Sequence, residues 1–101
     1  MSDIEKRAIV IDKKDNVATV LENVNKGDIV ISKIADEDLR VRSIDHIPKG
    51  HKIALKDIKK GEYIIKYGET IGIATVDIEK GQHVHVENVD SIRGKVGQDE
   101  L

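Results

Sequence analysis

Apolar and polar residues alternate over short stretches of this chain, at or near 6–11, 28–34, 38–44, 51–55, 62–66, 71–75 and 82–86. Successive side chains on a strand point to opposite faces, so a period of two predicts β-strands. Positions 17–20 are contested. Within "DKKDNVATVLENVNKG", Val17, Val20, Leu21 and Val24 recur at helical spacing, and a helical stretch is preferred over a strand there. "ISKIADEDLRVRSIDHIPKG" reads as a hairpin with Asp36, Glu37 and Asp38 at its tip.

One short pattern punctuates these stretches: "VNKGDIV" (24–30), "IPKGHKI" (47–53), "IKKGEYI" (58–64) and "IEKGQHV" (78–84). A β-branched residue leads through Lys-Gly to another β-branched residue, and the glycines (Gly27, Gly50, Gly61, Gly81) stand where positive φ costs least. Asp57 and Asp77 precede two copies, where each would N-cap a single helical turn that the glycine ends. The uneven offsets argue against a solenoid of fixed period. Short strands joined by glycine turns predict a mainly β fold, a small barrel or clip with short helical turns. It would form one domain over 1–94, followed by a polar tail over 95–101, and the chain after Arg93 is expected to be mobile.

Composition narrows the picture. Phe and Trp are absent and isoleucine and valine are abundant, so the core must be aliphatic and β-branched, which suits strands. Charged residues reach 36% but nearly cancel, to a formal net charge of -2. No electrostatic case arises for a nucleic acid or an anionic membrane as partner. No apolar run approaches the roughly 20 residues of a membrane-spanning helix, and "MSDIEKRAIV" has no apolar leader core. With no cysteine there are no disulfides or thiolate metal sites, and a cytoplasmic location is expected.

The candidate chemistry is concentrated in the second half. In "GQHVHVENV" a strand would project His83, His85 and Glu87 together, with Val84 and Val86 toward the core. Two imidazoles and a carboxylate suit a divalent transition metal and leave positions open for substrate, although a solvated polar strand face gives the same pattern. His51 follows the turn glycine Gly50, a rim position from which it could polarise a carboxylate or transfer a proton; a turn histidine bonded to backbone is the plainer alternative. "IIKYGETIG" sets Lys66 and Tyr67 before Gly68, an ammonium for an anionic oxygen and a phenol for hydrogen bonding. Tyr63 is expected to plug one end of the fold, and His46 to be structural.

The long segment "DNVATVL…HIPKGHKIALKDIKKGEYIIKYGETIGIATVDIEKGQHVHVENVDSIRG", from about Asp15 to Gly94, closely resembles the small SAF-type module of the altronate dehydratase family. That family includes galactarate dehydratase and the small subunit of sulfolactate sulfo-lyase. The resemblance implies a β-clip fold and elimination of water, or of sulfite, from acidic hydroxylated substrates. In the family the module is either the N-terminal part of a longer dehydratase or a separate small chain paired with a large one. At 101 residues, a separate small subunit with a large dehydratase subunit is expected. The family also implies a divalent metal ion, iron(II) (Fe2+). By position, His51 and Lys52 match the family's Gly-His-Lys, and Lys66, Tyr67 and Gly68 its Lys-Tyr-Gly. His83, His85 and Asn88 match His-x-His-x-His-Asn, from which Glu87 departs by replacing a histidine. Asp15 and Asn16 match the Asp-Asn that opens the module. The roles that follow are proton transfer or carboxylate binding for His51, an anion grip for Lys66, and substrate contacts for Lys52, Tyr67 and Asn88. His83, His85 and Glu87 would hold metal. SAF-like domains also resemble antifreeze-type and pilus- or flagellum-assembly chaperone domains, so a carbohydrate- or protein-binding module without catalysis is the competing class.

Overall fold

The computed structural model describes residues 4–34 and 36–91. Nine strands run through it: β1 (Glu5–Ile9), β2 (Val17–Val20), β3 (Ile29–Ile34), β4 (Glu37–Arg42), β5 (Lys52–Ala54), β6 (Tyr63–Lys66), β7 (Glu69–Ala74), β8 (His83–Val84) and β9 (Val89–Ser91). The order β4-β3-β1-β2-β5-β8 makes one sheet, in which only the β1–β3 pair is parallel, and β6-β7-β9 makes a second. The architecture is mainly β, as the alternation requires, but the sheets do not close into a barrel. No helix occurs among the described residues. The expected tail over 95–101 lies outside them.

The contested segment is strand β2, not a helix. It lies between β1 and β5, and its two faces meet different cores. Val17 packs with Ala54, Ile58, Ile64, Ala74, Ile78, Val84 and Val89. Ala18 and Val20 pack with Ala8, Val10, Val24, Val30, Val41, Ile47 and Ile53. A strand buried on both faces carries no polar alternation, which is why helical spacing could imitate it. β5 does the same, with Ile53 in the first core and Ala54 in the second. The two strands are a shared wall between two aliphatic cores.

The four Lys-Gly modules are turns, and each glycine has φ between +88 and +97. In each, the amide following glycine donates to a carbonyl three residues earlier: Asp28 to Asn25, His51 to Pro48, Glu62 to Lys59 and Gln82 to Glu79. Positive φ at the third turn position fits a type II turn. The turns interlock in pairs, the first two through the isolated bridge Val24↔Ile47 and the last two through Ile58↔Ile78. The expected helical N-caps are absent. Asp57 instead accepts from the Lys80 amide and Asp77 from the Lys60 amide, so each carboxylate caps the opposite turn. Asn23 does the same for Lys49. A carboxylate beside a turn finds whichever unpaired amide lies nearest, and the pairing of the turns decides which that is.

The hairpin over 29–42 forms, but Glu37 and Asp38 belong to β4, and Asp36, with φ 70, is at the tip. Tyr63 does not plug an end. It is 55% exposed, beside a groove of about 430 Å³ lined by Asn16, Lys56, Asp57, Gly61, Glu62, Tyr63 and Ile65. The aliphatic residues fill both cores without it.

Candidate functional site

His51 leaves the second turn at the start of β5, and His83 opens β8 just after the fourth turn. β5 and β8 are antiparallel neighbours with Ile53 opposite His83, and this register carries His51 to the histidine segment. His51 Nδ1 lies 2.9 Å from His83 Nε2. The His51 and His85 rings stack with centroids 3.9 Å apart. Each of the three imidazoles offers a nitrogen within 4.8 Å of the others, and all three residues are half-buried. His85 Nδ1 is buried and has no protein hydrogen-bond partner.

The backbone around these rings is firmly held. Asp45 accepts from the His83 amide through Oδ2. Asn88 is buried, and both ends of its amide are taken by backbone: Oδ1 accepts from the His85 amide and Nδ2 donates to the His83 carbonyl. Sequence reasoning missed Asp45 altogether, since nothing within its own segment "SIDHI" links it to a residue 38 positions on.

β8 is shorter than the strand predicted over 82–86. It ends at Val84, and residues 85–88 bend into a turn. Val86 therefore does not face the core but is 65% exposed. Glu87 lies in the same turn, and its carboxylate reaches His83 Nδ1 at 3.3 Å. His83 thus has one nitrogen toward Glu87 and the other toward His51. The grouped histidines are His51, His83 and His85 rather than the strand-face set His83, His85 and Glu87.

Burial pushes the His83 imidazole below its ordinary value; Glu87 opposes this, while charge on His51 and Lys52 adds to it. Burial also lowers His85, followed by charge on His51, Lys52 and His83. Both shifts favour the neutral imidazole, the form whose lone pair is available as a ligand.

Lys52 is only 3% exposed. Burial first, and then the Lys66 ammonium, lower its pKa. Lys52 pairs with Thr19 of β2 and Val84 of β8, and alternation places it on the second-core face of β5, with Ala54. Lys66 and Tyr67 enter from the β6–β7 hairpin, where Tyr67 and Gly68 form a two-residue loop with φ 55 and 78. Positive φ at both loop positions is the type I′ pattern, and a tyrosine there is strained. Buried Asp15 holds the loop by accepting from the Gly68 amide, and Asn16 binds the Tyr63 carbonyl and Ile65 amide behind it. Lys66 Nζ sits 5.1 Å from the Tyr67 ring centroid, and the Tyr67 hydroxyl is 3.5 Å from Thr19 Oγ1. Lys66 and Tyr67 thus reach the region through Lys52 and Thr19 on one face of the shared wall, while the histidines gather at its end.

A fit test for a metal ion can be made from these atoms. Three imidazole nitrogens suit a divalent first-row transition metal. Two nitrogens bound to one ion at ~2.1 Å lie roughly 3 Å apart, close to the His51–His83 separation. The unpartnered nitrogen of His85 is what a ligand position looks like without its ion. The residues fit the group.

The sequence of residues 6–92 matches the family model described as the altronate/galactarate dehydratase SAF domain. The chain is 41% identical over 83 residues to altronate dehydratase of Bacillus subtilis, a stretch covering 82% of this chain and 16% of that protein. It is 39% identical over 88 residues to (2R)-sulfolactate sulfo-lyase subunit alpha of Chromohalobacter salexigens, covering 84% of this chain and 94% of the subunit. With galactarate dehydratase (L-threo-forming) of Escherichia coli it shares 38% identity over 76 residues, covering 75% of this chain and 14% of the enzyme. The chain thus spans a small part of the dehydratases and nearly all of the sulfo-lyase subunit. By sequence, this chain belongs to the SAF domain family of the altronate and galactarate dehydratases, a family of lyases.

Proposed function

We propose that this chain is the small subunit of a sugar-acid dehydratase or of a related sulfo-lyase, acting by elimination from an acidic hydroxylated substrate together with a large subunit. The observation that carries the reading is the convergence of His51, His83 and His85, from separate turns, in a chain matching nearly the full length of a sulfo-lyase alpha subunit.

In this reading His51, His83 and His85 hold a divalent ion, iron(II) by family resemblance. Glu87 orients His83 by accepting at Nδ1, as carboxylates commonly do behind metal-bound histidines. Asn88 and Asp45 fix the backbone on which the two rings stand. Such an ion supplies Lewis-acid stabilisation of the charge that develops on a carboxylate when its α proton leaves. The Lys66 ammonium disfavours charge on Lys52, a repulsion that the carboxylate of an acidic substrate would relieve. Tyr67 offers its hydroxyl at the same face. The large subunit supplies the remaining groups, including the base for the α proton.

The test is reconstitution. The isolated chain should show no appreciable turnover of altronate, galactarate or sulfolactate, and adding a large dehydratase-like chain from the same source should restore elimination from one of them. His51→Ala and His85→Ala should each reduce that activity at least about a hundredfold, more than the loss typical of residues that merely support a metal ligand. Robust turnover by the isolated chain, or a complex indifferent to both substitutions, overturns the reading.

A further inference from the structure

The four turns share one backbone plan, and the second lacks a closing hydrogen bond that the other three make. In three of them the side chain after glycine folds back and accepts from the amide three residues earlier. Asp28 accepts from the Asn25 amide at 2.8 Å, Glu62 from Lys59 at 2.7 Å and Gln82 from Glu79 at 2.9 Å. In the second turn the corresponding donor would belong to residue 48, which is the chain's one proline and has no amide hydrogen. The side chain at the accepting position is His51. Its Nδ1 has turned away from its own turn and meets His83 Nε2.

We propose that Pro48 is a positioning residue for His51: by removing the turn-closing amide, it denies the imidazole the local partner that this position has in the other turns and leaves Nδ1 to the histidine cluster. Little else in the turn is lost. The His51 amide still donates to the Pro48 carbonyl, and the Lys49 amide is still capped by Asn23. Removing one donor thus releases one acceptor without unmaking the turn. The three sister turns show what happens when the donor is present. An Nδ1 lone pair in that place would find an amide hydrogen within the same four residues, at almost no entropic cost. Reaching His83 instead means pairing with a residue 32 positions away, so the local bond would compete well. The functional weight of the proposal rests on the proposed metal centre, whereas the hydrogen-bond switch itself does not.

The experiment uses the full chain, first without metal. In wild type, 15N NMR should show a scalar coupling across the hydrogen bond between His51 and His83. In Pro48→Ala that coupling should fall at least twofold, and the new residue-48 amide should be protected from solvent exchange. Titrated with Co2+ alone, Pro48→Ala should bind about tenfold more weakly than wild type, the lower range for loss of a supporting partner. A fold control comes from His51→Asp, compared with Pro48→Ala/His51→Asp. The double variant rebuilds the closed turn of the other modules and should melt at a higher temperature than the single one. An unchanged coupling in Pro48→Ala, or a double variant no more stable than His51→Asp, overturns the proposal. If wild type fails to bind Co2+ while the coupling behaves as expected, the metal reading fails and the role of Pro48 stands.

Discussion

The two turn pairs are built from the same module and differ in how completely they close. In the pair joined by Ile58 and Ile78 every bond has its counterpart: Asp57 caps Lys80, Asp77 caps Lys60, and Glu62 and Gln82 each close their own turn. In the pair joined by Val24 and Ile47 only half of this scheme survives. Asn23 caps Lys49 and Asp28 closes the first turn, but His46 stands where the second cap would be, and Pro48 with His51 replaces the second closure. The regular pair shows what the module needs in order to fold. The irregular pair shows where the sequence has given up a local bond, and the side chain so released is one of three converging histidines. Departure from the repeat singles out His51 more clearly than its residue type taken alone.

The sharpest way to break the comparison is through glycines that look equivalent. Gly61 and Gly81 both have φ +90, yet a Cβ on Gly61 meets nothing within 4 Å, whereas one on Gly81 would stand 2.2 Å from the Arg42 carbonyl oxygen. The fourth turn is docked on the first core's strands, and the Ile44 amide donates to the Gly81 carbonyl. Gly61→Ala should cost about 1–2 kcal/mol for the left-handed backbone alone. Gly81→Ala should cost roughly 3–5 kcal/mol, because overpacking adds to that strain. Denaturant unfolding would rank the two, and equal costs would show that the fourth turn is not anchored as described.

Next in size are the crossed caps. Asp57→Ala and Asp77→Ala should each cost about 1 kcal/mol, in line with loss of a capping carboxylate. Asn23→Ala should cost a similar amount. A double-mutant cycle between Asp57 and Lys80 would find no side-chain coupling, because the bond runs to the Lys80 amide and not to its ammonium. Strong coupling would mean that the turns are held by ion pairs instead.

The smallest effect is the pH dependence of the metal-free chain. His83 and His85 bind protons less readily in the fold than in the unfolded chain, where an imidazole titrates near about 6.5. The unfolded state therefore takes up more protons as pH falls, and stability must decrease with falling pH in that range. Their contribution is complete above about pH 6.5 and is lost as pH drops through the lowered folded values. Melting temperature should follow that course, and His85→Asn should flatten it. An unchanged slope in His85→Asn would assign the acid sensitivity to other groups.

Much of this was readable in the sequence because it is local. A Lys-Gly turn needs only its own four residues, so the four glycine turns follow directly from the repeated pattern. The half-buried strands carry their period of two in plain view, and the long "GHKIAL" to "KYGE" stretch is specific enough to place the chain in its family. Positions 17–20 carry helical spacing because β2 is the wall between two cores and is apolar on both faces, a fact about its neighbours and not about itself. Val86 broke the alternation for a related reason: β8 stops after two residues, where Asn88 turns the chain by binding the backbone of His83 and His85. Sequence spacing put Glu87 with His83 and His85, since residues two apart on a strand share a face. Only the β5–β8 register could replace that local grouping with one that includes His51, 32 positions away. Local pattern determines which residues turn and which alternate; which turn faces which is decided by burying two aliphatic cores at once, and the candidate site lies where those turns meet.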